Sequence, residues 1–277
     1  MLWNRNRRFC DINPTCYAIS MQKEICKRHL KNLLSNEKFA ETKKMDRLPN
    51  VVSCHSSNMI KRAKGIDLEL QENKAINIML ACGKINGLIV HPAEVFSFWK
   101  TVGVISEKNG YKEGRVIQNN KLIAGIGGGL CNLGNIINLL VLHSPLEVIE
   151  FHYHSDALAP DEGGRVPLSA GISVCYNYVD YRFKNTADQD VQLLLWCESE
   201  ILHAELRSER AFPWRYKLVE ENHHFKKEGN KFYRNSKIYK EVSDSSSANI
   251  IAKELVLDNH SEVMFDYNLI PEDQIRA

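Results

Sequence analysis

The sequence lacks the features that would place it in several specialised classes of protein. No apolar run approaches the roughly 20 residues that a membrane-spanning helix needs, so we expect no membrane span. The 36 basic and 34 acidic residues nearly cancel, and no surplus of charge indicates binding to nucleic acid. The N-terminus is basic but has no long apolar segment and no clear cleavage site, so we expect a cytoplasmic protein.

The spacing of cysteine and glycine is equally uninformative for the commonest motifs. The eight cysteines are irregularly spaced and include no CxxC pair, so we expect reduced thiols. The stretch GIGGGLCN lacks the lysine and hydroxyl of a phosphate-binding GxxxxGK[ST] loop, and the GxGxxG pattern fails at its last position. With 44% apolar and 25% charged residues, the composition is that of an ordinary globular protein.

The order of predicted elements indicates an α+β fold in three parts. We predict a helical N-terminal lead-in at 1–50, a main domain at 51–210 and a C-terminal hairpin extension at 211–277. Runs rich in β-branched and aromatic residues predict strands at 146–155, 171–185 and 189–199. A helix followed by antiparallel strands predicts a cysteine-bearing helix packed on a mainly antiparallel sheet.

Apolar periodicity predicts two further helices. In KEICKRHLKNLL, residues 23–34, four apolar side chains can share one face: Ile25, Leu30, Leu33 and Leu34. In LELQENKAINIMLACGKI, residues 68–85, apolar residues recur at helical spacing through Leu68, Ile76, Met79 and Leu80.

The stretch GIGGGLCNLGNIINLLVLHS, residues 125–144, predicts a reactive cysteine. Gly127, Gly128 and Gly129 allow a tight turn and close approach of backbone N–H groups to a ligand. A helix that begins near Cys131 is expected to lower the pKa of this thiol towards neutrality and to favour a nucleophilic thiolate. The backbone N–H groups of Leu130 and Cys131 could stabilise the developing oxyanion.

Histidines on the strand after this helix are candidates for the general base. His143 lies at the far end of the helix, roughly 18 Å from Cys131 at 1.5 Å per residue. His152 and His154 are two residues apart and share one face of a strand that we expect to return along the helix. We favour His154 as the base. Candidates for the residue that orients it are Asn177, Asp180 and, locally, Asp156.

A zinc site is an alternative use of the same residues. Cys131, His152 and His154 could provide three ligands, since HxH on a strand is a common ligand pair. No further cysteine or carboxylate lies at a diagnostic spacing, so we favour a site without a metal or other cofactor.

Several separated blocks resemble the VanW family, which is named from glycopeptide-resistance gene clusters. The similarity covers roughly residues 50–200, and the blocks that carry it are FSFWKTVG, GYKEGRVI, GIGGGLCNLGNIINLLVLHSPLEVIEFHYHSD and GISVCYNYVDYRFKN. Some exported members are understood to act as peptidoglycan L,D-transpeptidases through the motif cysteine, to which Cys131 corresponds. By the same resemblance, the family's His-Ser pair matches His154 and Ser155, and its strand aspartate matches Asp180.

The sequence departs from the family pattern at some positions, and the resemblance adds further residues to the predicted site. Asn132 stands where the family commonly has glutamine, which affects hydrogen bonding near any oxyanion. Arg165 can replace the family's loop arginine, and we place His152, Ser155 and Arg165 in the substrate-binding part of the site.

The resulting hypothesis is cysteine-dependent acyl transfer on a peptide or peptidoglycan precursor, by a transpeptidase-like or peptidase-like reaction. The alternatives are an accessory module that binds a cell-wall peptide without turnover, and the zinc site. The sequence leaves the oligomeric state open.

Overall fold

The computed structural model describes residues 8–62, 67–118, 121–153, 156–157, 166–168, 171–247 and 249–276. The fold is α+β with mainly antiparallel sheets, as predicted. The helices are α1 (Pro14–Leu34), α2 (Leu68–Ile85), α3 (Phe98–Val102) and α4 (Cys131–Leu142). The strands are β1 (Asn50–Asn58), β2 (Leu88–Val90), β3 (Val95–Ser97), β4 (Glu113–Gln118), β5 (Lys121–Ile126), β6 (Glu147–Glu150), β7 (Asp156–Ala157), β8 (Arg182–Lys184), β9 (Val191–Glu198), β10 (Ile201–Ser208), β11 (Trp214–Glu228), β12 (Lys231–Asp244), β13 (Ile250–Val263) and β14 (Ile275–Arg276).

A four-stranded antiparallel sheet in the order β1-β10-β9-β2 forms the centre of the fold. Helix α2 packs against β9, and α4 packs against β1 and β10. The apolar side chains of both helices and of β9 and β10 form one core. Strand β9 is buried along most of its length, whereas β10 alternates between buried and more accessible residues. Both helices therefore share one core with the central sheet.

The ends of the helices follow local sequence. Asp67 caps α2 by accepting a hydrogen bond from the N–H of Leu70 at 3.2 Å. Asn13 caps α1 in the same way, and Pro14 occupies its first turn. Helix α4 differs, because the residue before it is Leu130 and no side chain caps it.

Helix α1 attaches to the body by polar contacts. The guanidinium of Arg28 donates to Oε2 of Glu150 at 2.6 Å and to the carbonyl oxygen of Tyr178 at 2.9 Å. Of the apolar face predicted for this helix only Ile25 is buried; Leu30, Leu33 and Leu34 are exposed. The predicted face of α2 is also wrong at Leu68 and Met79, which are exposed. Apolar periodicity predicted where both helices lie in the sequence, but tertiary packing determines which of their sides are buried.

The strand predicted at 171–185 is largely irregular. Only β8, its last part, forms a ladder, with β3 and β6 on either side. Before it the chain makes a tight loop in which the N–H of Cys175 donates to the carbonyl of Val179 at 2.9 Å. Asn177 at its tip has a φ angle of +50°, a conformation incompatible with a continuous strand. The strand predicted at 146–155 is likewise shorter, and in the described residues forms a ladder only as β6.

The C-terminal part contains the predicted hairpin, formed by β11 and β12 with Gly229 at its turn. A third long strand, β13, pairs with β12 and extends the hairpin to an antiparallel meander. The short strands β14 and β7 add to its edges in parallel. The three predicted domain boundaries stay predictions. Among the described helices, none has the length and apolar character needed to cross a membrane.

Candidate functional site

The glycine turn, Gly127–Gly129, requires glycine for steric reasons. Gly127 and Gly129 have φ angles of +75° and +96°, which other residues rarely adopt. A Cβ atom on Gly128 would lie 2.2 Å from the carbonyl carbon of Gly114, and one on Gly129 would lie 2.2 Å from Cγ of Lys74. The glycines therefore let β4 and α2 pack directly against the backbone that leads into α4.

Asn77 of α2 holds this turn in place and is fully buried. Its Nδ2 donates to the carbonyl oxygens of Gly128 and Lys112, each at 3.0 Å, and its Oδ1 accepts from the N–H of Lys112 at 2.8 Å. The amide thus has the partners that burial requires. Sequence reasoning missed Asn77, because nothing local distinguishes it from the other polar residues of α2.

The backbone at the start of α4 has unpaired donors. Within the described residues, the N–H groups of Gly129 and Leu130 donate to no acceptor, and no side chain caps the helix. The first N–H groups of a helix lack partners inside it, and the positive end of the helix dipole lies beside them. This segment can therefore bind a negatively charged oxygen.

Cys131 is the first residue of α4, as predicted, but its thiol is not activated by that position. The residue is half-buried against the main core, and its Sγ lies 3.8 Å from the carbonyl oxygen of Val174, to which the S–H can donate. Burial raises the pKa of the Cys131 thiol to about 11, and Cys175 adds to the increase. The predicted lowering of this pKa is therefore wrong: desolvation outweighs the helix end, and the thiol is protonated at neutral pH.

The chain after β6 pairs with a segment that packs on α4. Tyr153 pairs with Ile172, two residues before Val174, which contacts Cys131. Tyr153 also packs against the cluster that contains Leu139, two turns beyond Cys131. Ile172 itself packs on Gly134 and donates its N–H to Oδ1 of Asn135 at 2.8 Å, so it lies beside the first half of α4. The predicted return of residues 152–154 to the start of the helix stays a prediction.

The histidines considered as partners of Cys131 lie in different places. The side chain of His152 is 43% exposed, and its Nε2 lies 3.1 Å from Oε1 of Glu150. No contact in the described part of the chain joins His152 to Cys131, and His143 lies beside His55 at 3.3 Å between ring nitrogens. The predicted site residues that lie outside the described residues are His154, Ser155 and Arg165.

Asp180, a candidate for orienting the base, is buried and fully engaged elsewhere. Its Oδ1 accepts from the N–H groups of Trp99 and Tyr181 at 3.1 and 3.0 Å. Its Oδ2 accepts from Oγ of Ser97 at 2.6 Å and from Nε of Arg182 at 2.7 Å. These contacts join α3 to β8. Among the described residues no histidine contacts this carboxylate.

Asn177, the other candidate, does pair with a histidine, but with His29 of α1. The Nδ2 of Asn177 lies 2.8 Å from Nε2 of His29. Both residues line a groove of about 750 Å³ between α1 and α3, which Trp99 and Tyr176 also line. Sequence reasoning missed His29, because the two residues are 148 positions apart and no local pattern links them.

Asn132, the residue after the cysteine, faces β1. Its Oδ1 accepts from Oγ of Ser57 at 3.1 Å, and its Nδ2 donates to the carbonyl of Asn58 at 3.4 Å. The side chain therefore ties α4 to the central sheet. In the part of the chain that the structure describes, no three His, Cys, Asp or Glu side chains are grouped to hold a metal ion; His154, one ligand of the alternative zinc site, is outside that part.

Comparison with known proteins agrees with the blocks seen in the sequence. A family model described as "VanW like protein" matches residues 73–207. The chain is 25% identical over 201 residues to the vancomycin B-type resistance protein VanW of Enterococcus faecalis, covering 73% of each chain. It is 28% identical over 120 residues to the uncharacterised protein YoaR of Bacillus subtilis, covering 43% of this chain and 38% of that one. No solved structure matches. These matches support a VanW-like assignment for residues 73–207 of the chain.

Proposed function

We propose that this chain performs acyl transfer on a cell-wall peptide or its precursor, with Cys131 as the nucleophile, and that it serves in resistance to vancomycin. The second part rests on the name of the Enterococcus relative. The observation that carries the first part is the pair of unpaired N–H groups at Gly129 and Leu130, directly before Cys131 at the start of α4.

These donors suit a carbonyl under attack by the adjacent sulfur. As Sγ of Cys131 bonds to the carbonyl carbon, negative charge develops on the carbonyl oxygen, and preorganised N–H groups stabilise that charge. The N–H of Leu130, with that of Cys131, is the donor we assign to this oxyanion. The glycine turn supports the assignment, because it leaves no side chain between the backbone and a ligand.

A protonated thiol dictates how the reaction proceeds. Because the pKa of Cys131 is about 11, the S–H proton must leave as the sulfur attacks, and we assign His154 as the base that takes it. The tetrahedral intermediate then expels an amine, which takes the proton from the imidazolium. An amine of a second peptide attacks the thioester in transpeptidation, or water does so in hydrolysis, and the thiol is restored.

A peptide-binding module without turnover is the second candidate. The observation that favours it is the same raised pKa of Cys131, together with the S–H directed at the carbonyl of Val174. A thiol with those properties can be a packing residue. In that case the unpaired N–H groups would hold a peptide oxygen, and Cys131 would have no chemical role.

Site-resolved thiol labelling distinguishes the two candidates. The protein is treated with iodoacetamide from pH 6 to pH 11, with and without an acetylated cell-wall peptide, and labelling of each cysteine is measured by mass spectrometry. Acyl transfer predicts that the peptide leaves a thioester of matching mass on Cys131, while Cys175→Ser, a matched change next to the site, retains it. The binding module predicts labelling of Cys131 only at high pH, protection by peptide and no thioester.

A further inference from the structure

Lys74 of α2 is a buried cation. It is 9% exposed, and no hydrogen bond or ion pair joins its amine to any described residue. Its stem crosses the glycine turn, since Cβ, Cγ and Cδ all lie within 2.9 Å of the position that a Cβ on Gly129 would occupy. Packing of its stem against Gly129 therefore holds Lys74 beside the start of α4, and none of the described residues supplies a counter-ion.

Two more cations lie near this amine. Burial, together with the positive charges of Lys61 and Arg115, lowers the pKa of Lys74 to about 8. Arg115 belongs to β4, and its backbone N lies 2.7 Å from the Cβ position of Gly128. Neither Lys61 nor Arg115 has a side-chain partner among the described residues. Lys74 thus packs on the glycine turn and Arg115 lies in the strand beside it, while Lys61, in the segment after β1, acts electrostatically on Lys74.

The arrangement of charges at the glycine turn favours an anionic ligand. Burying an uncompensated charge is strongly unfavourable, and repulsion between like charges adds to that penalty. The unpaired N–H group of Gly129 and the positive end of α4 lie at the same turn, where they favour negative charge. The cations and the donor therefore favour an anionic group at this turn.

We propose that Lys74, Lys61 and Arg115 bind the terminal carboxylate of the substrate peptide at the glycine turn. This inference rests on the proposed function, since it identifies the substrate by the position of its carboxylate. Consecutive α-carbons are 3.8 Å apart, so those of Gly129 and Cys131 are separated by at most about 7.6 Å. That span corresponds to one or two residues of the peptide. The bond attacked by Cys131 is therefore near the free C-terminus of the peptide.

The test measures binding apart from chemistry, on the full chain carrying Cys131→Ala. The probes are acetyl-alanyl-alanine in its L,L and D,D forms, the C-terminal amides of both, and inorganic phosphate, each titrated by calorimetry. Lys74→Met removes the charge but keeps a stem that can pack on Gly129, and Arg115→Gln is a second variant if the first does not fold. Lys112→Met is the matched control, because this exposed lysine precedes β4 close to the same turn.

We expect at least one acid to bind about tenfold more tightly than its amide, and Lys74→Met to abolish that difference, since a charge-assisted hydrogen bond is worth about that factor. Lys112→Met should leave it unchanged. Equal affinities for acid and amide, or an acid preference that survives both variants, would overturn the inference. Phosphate binding that depends on Lys74 but is not displaced by either acid would assign the site to phosphate instead.

The two proposals fail in distinguishable ways. Carboxylate binding that depends on Lys74, without any thioester on Cys131 in the unmodified protein, would leave the anion site standing and remove acyl transfer. A thioester on Cys131 with no preference for acid over amide would do the reverse.

Discussion

Asp180→Asn separates a structural aspartate from a catalytic one. The carboxylate is 1% exposed and accepts four hydrogen bonds, two at each oxygen. Asparagine keeps Oδ1, so the bonds from Trp99 and Tyr181 survive. At the other position an NH₂ group replaces Oδ2 and faces Nε of Arg182, which is a donor and only 4% exposed.

The expected loss of folding free energy comes from the position of Oδ2. A hydrogen bond to a charged group contributes about 1.5–3 kcal/mol, and removing one member of a buried ion pair costs about 3–5 kcal/mol. Arg182 keeps Glu150 at 3.6 Å and Asn32 at 2.7 Å, so its charge is partly compensated. We therefore expect Asp180→Asn to lower the free energy of unfolding by about 3 kcal/mol, at the low end of the ion-pair range.

Urea unfolding followed by tryptophan fluorescence measures this change. The matched control is Asp188→Asn, since the side chain of Asp188 is 86% exposed and pairs with Arg210 at the surface; such a pair contributes at most about 1 kcal/mol. An Asp180→Asn protein that unfolds at the unmodified midpoint but forms no thioester on Cys131 would refute the structural account and restore the aspartate as an orienting residue.

Three further predictions concern stability. Gly128→Ala should lower the free energy of unfolding by about 3 kcal/mol, since its Cβ would lie 2.2 Å from a backbone atom. The control is Gly83→Ala, whose Cβ would have nothing within 4 Å and which should raise that free energy by up to about 1 kcal/mol. Denaturant titrations measure both changes. Asn138→Leu should raise the thermal midpoint, because this fully buried amide has no partner among the described residues. Burial and His143 lower the pKa of His55 to about 4, so the unfolded imidazole binds a proton first as the pH falls. The free energy of unfolding should decrease by about 2 kcal/mol from pH 6.5 to 4, after allowance for the half-exposed ring, and His55→Gln should remove that part of the pH dependence in urea titrations at each pH.

Local sequence by itself determined the positions of several elements. The apolar periodicity of 68–85 coincides with α2, the apolar run after Cys131 coincides with α4, and the glycine-containing turn of the C-terminal hairpin lies where it was predicted. The separated blocks also predicted the similarity to the VanW-like family. Each of these depends on residues close together in the chain, through backbone preferences and the period of apolar side chains.

Tertiary structure alone decided the chemistry of the candidate site. Local sequence predicts an acidic thiol at Cys131, but the core packed around it raises its pKa. The alternation of 171–185 predicts a strand, but the loop around Asn177 breaks it and brings that side chain to His29 of a distant helix. The sequence pattern of α2 does not indicate that Lys74 belongs to a charged site. Desolvation and long-range contacts set protonation states and partners, and neither is encoded within a short segment.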